Sequence, residues 1–241
     1  MLVKEKVFKI FVDFDGTITQ KDIGEEMFLK FGDAEEAVRI IDRWINNEIT
    51  SVDTWQMLCA TVKNFNETEF DHFLSEINID PTFKKFVDYC KSNNFEMLIL
   101  SDGLDYYINK VLEREGLQYI KTYTNKLTFE GNNLIPQFPY TDEECKQCAN
   151  CKRNHVINNS SDEDYTVYIG DGYSDACPVQ YCDFIFAKKS LLKFCETNRI
   201  SFSPFENFDD VIKKLDVLKS RRRLKHRHQA ELKRREVYLQ G

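Results

Sequence analysis

The chain has 241 residues, 42% hydrophobic and 13% aromatic, with 9 Gly and 5 Pro, which excludes a fibrous or loop-dominated protein and predicts a substantial buried core. The formal net charge is −7, and residues 219–241 hold nine Lys or Arg against two Glu, so the rest of the chain carries −14. An acidic body of that size argues against nucleic acid as a partner.

Residues 7–12 read Val-Phe-Lys-Ile-Phe-Val, a short and nearly continuous apolar run. Such a run predicts a parallel strand covered on both faces. It ends at Asp13-Phe14-Asp15-Gly16-Thr17, where Gly16 permits a tight turn. Residues 20–80 change period. Ile23, Met27, Phe28 and Phe31, then Ala37, Ile40, Ile41 and Trp44, follow helical spacing, and Thr50 or Ser51 is placed to cap the helix holding Trp55. This block predicts a helical module inserted after the first strand.

Strand–helix alternation resumes after Pro81. A helix over 82–92 leads to the strand Met97-Leu98-Ile99-Leu100, which ends at Ser101-Asp102-Gly103. A helix through Tyr107, Ile108, Val111 and Leu112 follows, then short antiparallel or extended pieces over 119–135. Residues 141–158 hold three cysteines and the start of a further helix. Tyr165–Ile169 forms the third core strand, ending at Gly170-Asp171-Gly172, and Phe184–Ala187 the fourth. Helices near 189–196 and 207–218 complete an α/β fold with a parallel sheet.

Three strands therefore run into polar clusters: Asp13/Asp15/Thr17, Ser101/Asp102 and Asp171/Asp175. Ligands of open α/β sheets bind outside the carboxyl ends of the strands. Carboxylates gathered there repel one another unless a cation joins them, and Mg2+ suits oxygen donors beside a phosphate. Of two such carboxylates, one can attack phosphorus and the other can exchange protons.

These motifs resemble those of the haloacid-dehalogenase-like (HAD) phosphatases. Asp13-Phe14-Asp15-Gly16-Thr17 is similar to the first motif, Leu100-Ser101-Asp102 to the second, and Gly170-Asp171-Gly172-Tyr173-Ser174-Asp175 to the fourth. The resemblance implies a Rossmann-like core over 1–19 and 81–218 and a helical cap over 20–80; the basic tail over 219–241 lies outside it. It implies Asp13 as nucleophile, Asp15 as acid and base, and Thr17 as the residue orienting Asp15. Ser101, Asp102, Gly103 and a lysine would meet the substrate phosphate. Asp13, Asp15 through its carbonyl, and Asp171 would hold Mg2+, with Asp175 alongside.

The lysine of the third motif has three candidates: Lys152, Lys146 and Lys126. Lys152 is preferred, because Cys145–Lys152 resembles the Cys-Lys stretch of the methionine-salvage and phosphoethanolamine/phosphocholine phosphatases. Where the salvage phosphatase is expected to carry Ser-Gly-Gly, this chain has Ser101-Asp102-Gly103. The implied activity is hydrolysis of a small phosphate monoester. A phosphotransferase or mutase of the same fold, or a non-catalytic binding protein, is the alternative.

Cys145, Cys148 and Cys151 with His155 form a partial zinc signature, a possible structural Zn2+ site set against reduced packing thiols. The basic tail is expected to form a solvated terminal helix. No apolar run spans a membrane and no secretory leader is legible, so a cytoplasmic location is expected. Oligomeric state is not legible.

Overall fold

A computed structural model describes residues 6–143, 145 and 147–240. The chain divides into two compact units. The first comprises Met1–Asp13, Ile79–Ile99 and Lys152–Gly241, and the second Phe14–Asn78 and Leu100–Cys151. The architecture is an α/β Rossmann-like core whose sheet is mainly parallel and flanked by helices.

In the first unit, β1 (Phe8–Val12) pairs in parallel with β2 (Glu96–Leu104) on one side and β5 (Tyr165–Gly170) on the other. β5 continues to β6 (Phe184–Ala187) and β6 to β7 (Ser203–Pro204), all parallel, giving the order β2-β1-β5-β6-β7. Phe8, Ile10, Phe11 and Val12 are fully buried, as a central strand covered on both faces requires. The helices of this unit are α5 (Phe83–Ser92), α7 (Lys152–Asn158), α8 (Lys189–Thr197), α9 (Phe208–Ser220) and α10 (His228–Gln240). α5 and α9 lock through Phe208, whose ring centroid lies 4.9 Å from Phe83 and 5.1 Å from Phe86.

β2 runs from one unit into the other at Leu100. The second unit holds α1 (Ile23–Phe31), α2 (Ala34–Ile45), α3 (Ser51–Thr61), α4 (Glu67–Ser75) and α6 (Asp105–Arg114). Each of α1 to α4 starts on a short polar side chain: Asp22, Asp33, Thr50 and Asn66 accept the N–H three residues on. At α3 the bond is reciprocal, since the Asp53 carboxylate accepts the Thr50 N–H. A cluster of Phe31, Phe65, Phe70, Phe73 and Tyr106 packs α1, α4 and α6 together, with centroids 5.3–6.2 Å apart.

The 119–135 stretch is an antiparallel hairpin of β3 (Thr122–Glu130) and β4 (Asn133–Gln137). Gly131, with φ 59°, makes the turn rather than a strand. The third cysteine does not enter a helix: α7 begins at Lys152, one residue later.

The basic tail departs from a solvated helix. Ala230 and Arg234 of α10 are buried. The Arg234 guanidinium donates to Tyr181 O at 2.6 Å and lies 3.6 Å from Asp183. Arg227 donates its backbone N–H to Asp183 Oδ1 at 3.0 Å and its side chain to Cys182 O and Val179 O. The His226 ring stacks on Tyr165 at 4.4 Å, with Nδ1 3.1 Å from Asp183. The buried carboxylate of Asp183 accepts Thr166 N and Oγ1 as well as these tail donors, so part of the tail's charge turns inward.

Candidate active site

Asp13 and Asp171 each stand one residue beyond a strand, and their strands are neighbours. The Asp13 N–H donates to Ile169 O at 2.9 Å, which extends the β1–β5 ladder to the first carboxylate. Sequence order thus becomes spatial adjacency: two aspartates 158 positions apart face each other because parallel strands end at the same level.

Asp175 completes the group. It lies at the end of a 3₁₀ turn, Tyr173–Asp175, that folds back on β5. Its Oδ2 accepts the N–H groups of Asp171 and Gly172, both at 3.0 Å. Its Oδ1 accepts from Tyr168 Oη at 2.6 Å and Lys152 Nζ at 2.7 Å. Gly170 leaves the room: a Cβ there would meet the Asp175 carboxylate, with Cγ only 2.7 Å away. Asp175 is therefore a brace for the loop that carries Asp171.

One carboxylate oxygen from each of Asp13, Asp171 and Asp175 lies within 4.8 Å of the others, and all three residues are buried. Lys152 Nζ also reaches Asp13 Oδ1 at 2.6 Å and Ser174 Oγ at 3.0 Å, with 2% of its side chain exposed. Lys189 Nζ lies 2.8 Å from Asp171 Oδ2.

Burial raises the Asp13 carboxyl well above the ordinary range, Asp175 and Asp171 add to this, and Lys152 opposes it. Asp171 is raised for the same first reason, then by Asp175, against Lys189. Burial alone would pull the Lys152 ammonium down, but Asp13 and Asp175 outweigh it and hold the group charged. Acids packed this closely repel one another when ionised, which is part of what raises Asp13 and Asp171. Oxygen donors at this spacing fit a hard divalent cation such as Mg2+, which would relieve the repulsion.

The second unit builds a polar group of its own. The turn Phe14–Ile18 holds Asp15 in extended backbone (φ −71°, ψ 124°) and Gly16 at φ 72°, which a side chain at Gly16 would strain. Thr17 is buried within this turn. Thr19 fastens it, with Oγ1 2.7 Å from Lys21 O and 3.2 Å from both Phe14 O and Gly16 N. Asp15 Oδ1 accepts from Ile23 N at 3.1 Å, and Oδ2 from Tyr107 Oη at 2.8 Å and Ser101 Oγ at 3.3 Å. Gly103 N donates to Ser101 Oγ at 2.9 Å.

Asp102 is engaged away from Ser101. Its carboxylate accepts from the Ser51 hydroxyl, from Asn150 N at 2.8 Å and from Asn125 Nδ2 at 3.5 Å. Asn150 also reaches Ser101 O and Tyr123 O.

Lys126 is exposed on β3, opposite Gln137, and Lys146 lies outside the described residues. Among the described residues, the aspartate trio is the one group of three or more His, Cys, Asp or Glu with ligand atoms this close, so Cys145, Cys148, Cys151 and His155 form no such group. Their spacing suits a helix or a zinc hook, but Cys145 and Cys148 sit in irregular backbone and Cys151 is buried. All eight cysteines are free thiols.

The family described as Putative Phosphatase matches residues 8–203. The chain belongs to it. It is a phosphatase of the HAD-like type, a phosphoric monoester hydrolase. The 2-hydroxy-3-keto-5-methylthiopentenyl-1-phosphate phosphatase of Bacillus mycoides (strain KBAB4) is 30% identical over 213 residues, covering 87% of this chain and 96% of that protein. The protein of the same description in Bacillus cereus (strain B4264) is 28% identical with the same coverage. Among solved structures, a phospho-aspartyl intermediate analogue of phosphoserine phosphatase superposes with a TM-score of 0.69 at 19% identity, covering 87% of this chain and 99% of that one. That likeness establishes the fold. The family match ends at 203, so α9 and α10 lie beyond it.

Two functional candidates were not singled out by the sequence. Tyr107 reads there as one apolar position on the buried face of α6, and Tyr168 as a residue of a core strand. Only the fold brings their hydroxyls to Asp15 and Asp175.

Proposed function

We propose that this chain hydrolyses a small phosphorylated metabolite in two phosphoryl transfers, with Asp13 as the nucleophile. The observation that carries this is the buried trio Asp13, Asp171 and Asp175 at the ends of adjacent strands, with Lys152 bonded to two of its members.

In the first transfer an Asp13 carboxylate oxygen bonds to phosphorus as the ester P–O bond breaks. Asp15 gives its proton to the leaving alcohol. In the second, water attacks the aspartyl-phosphate, Asp15 takes a proton from that water, and the P–O bond to Asp13 breaks. Asp13 and Asp15 are two residues apart, so their Cα atoms are within about 7 Å, close enough for both to serve one phosphate. Lys152 neutralises charge between the nucleophile and the phosphoryl group. The Ser101 hydroxyl and the backbone at Gly103 hold phosphoryl oxygens, and Thr17 supports the turn that carries Asp15.

Asp13, Asp171 and the carbonyl of Asp15 would hold Mg2+, with Asp175 fixing the Asp171 loop. The ion would supply charge neutralisation between two anions that otherwise repel. The Asp102 carboxylate is spent on Ser51, Asn125 and Asn150, so its charge is not offered to the phosphate. Zinc at the cysteine cluster has no part in the proposal.

The helical block 20–80 is proposed as the cap that covers the site and selects the organic part of the substrate. The activity for which the relatives are named makes the methylthiopentenyl phosphate the first compound to try, and Asp102 in place of the expected Gly makes other metabolite phosphates worth equal effort. The test is phosphate release from a panel containing that compound, phosphoserine, phosphoethanolamine, phosphocholine and sugar phosphates, with and without Mg2+. Fast release from one ester, only with Mg2+, is the expected result. No release from any of them by folded protein overturns the reading.

A further inference from the structure

Three donors that reach Asp15 arrive from three elements. Ile23 N–H, at the first position of α1, points at Oδ1. Ser101 Oγ on β2 and Tyr107 Oη on α6 both point at Oδ2, and the tyrosine is much the closer at 2.8 Å against 3.3 Å. Tyr107 is fully buried, so its hydroxyl cannot trade this bond for one to water.

The slot around that hydroxyl is kept open by Gly103, where a Cβ would collide with Tyr107 Oη and stand 2.7 Å from Asp15 Oδ2. Gly103 does not have the left-handed backbone that would otherwise explain it; what it provides is space.

We infer that Tyr107 is a positioning residue that sets the direction in which Asp15 presents its proton to the leaving group. This rests on the reading of Asp15 as acid and base. A carboxyl that can rotate loses its alignment, and misplacement by about 1 Å costs about 100-fold in rate. The consequence is selective. An alkyl leaving group needs the proton, whereas p-nitrophenolate departs without it.

The experiment compares the wild type, Tyr107→Phe, Asp15→Asn and the double variant in single turnover, on glycerol 2-phosphate and p-nitrophenyl phosphate. Circular dichroism confirms that each variant is folded. Tyr107→Phe is expected to slow alcohol release from the alkyl ester about 10- to 100-fold, with KM within about twofold. Its nitrophenolate burst should stay within about twofold of the wild type. Added to Asp15→Asn, it should bring no further loss. Equal slowing of both esters, no slowing of either, or a further loss in the Asp15→Asn background would overturn the inference. If Asp15→Asn itself leaves the alkyl ester untouched, the reading of Asp15 falls and the inference with it.

Discussion

Lys152 Nζ bridges Asp13 Oδ1 at 2.6 Å and Asp175 Oδ1 at 2.7 Å, joining the last residue before the turn that follows β1 to the brace behind the Asp171 loop. Replacing it by Met leaves two buried carboxylates facing each other. Removing one partner of a buried ion pair costs about 3–5 kcal/mol, so Lys152→Met should melt several degrees lower. Turnover should fall at least about 100-fold, as loss of a charge at the reacting centre does. Wild-type turnover in the folded variant would move the cationic role to Lys146 or Lys126.

Gly170 is a spacer for Asp175. Gly170→Ala drives a methyl group into the Asp175 carboxylate, and overpacking of this kind costs about 1–3 kcal/mol. Because Asp175 holds the backbone of Asp171, the variant should also need more Mg2+ for half-maximal activity. Unchanged melting and unchanged Mg2+ dependence would show that the loop is held by other means.

The tail is expected to act as a strap on β5 and β6. Deleting residues 226–240 strips the buried Asp183 of Arg227 N–H and of the Arg234 guanidinium 3.6 Å away. Asp183 keeps Thr166 N and Oγ1 as donors at 3.0 Å, so a loss of about 1–3 kcal/mol in urea unfolding is predicted for the bonds removed. A truncated chain as stable as the full one would show that the tail merely rests on the surface.

Thiol reactivity should divide the cysteines. Burial pushes Cys59, Cys90 and Cys182 up to about 12 and Cys195 up to about 11, while Cys145, Cys148 and Cys177 are partly exposed. At pH 8 a thiol at about 12 is about one part in 10⁴ thiolate, so a disulfide reagent should modify Cys145, Cys148 and Cys177 first. For the buried group, raising pH should raise the rate about tenfold per unit until their range is reached. Mass spectrometry of the modified peptides checks the order; prior labelling of Cys182 would contradict it.

The core strands were legible because a strand buried on both faces leaves little room for polar residues: 7–12, 97–100 and 165–169 each announce themselves by an apolar run. Asp13 and Asp171, which the fold brings together, were legible because each interrupts such a run at its end. Tyr107 was not, since an aromatic residue in register with Ile108, Val111 and Leu112 looks like core, and its partner lies 92 positions away. Asp102 looked like a phosphate-loop residue, but its partners Ser51, Asn125 and Asn150 converge only in the fold. Arg227 and Arg234 looked like solvated charge because a charge count cannot register that they meet a buried Asp183 in the fold. The cysteine spacing fits a zinc hook, yet spacing alone does not set the backbone that aims the thiols.

The most direct test is to trap the phosphorylated protein. The chain is mixed with substrate and Mg2+, quenched in acid within milliseconds, digested and mapped by mass spectrometry, beside Asp13→Asn treated identically. Phosphate on the peptide carrying Asp13 in the wild type, with none on that peptide in the variant, is the predicted result. Full turnover by Asp13→Asn, or phosphate captured on a different residue, would contradict the assignment of Asp13 as the nucleophile.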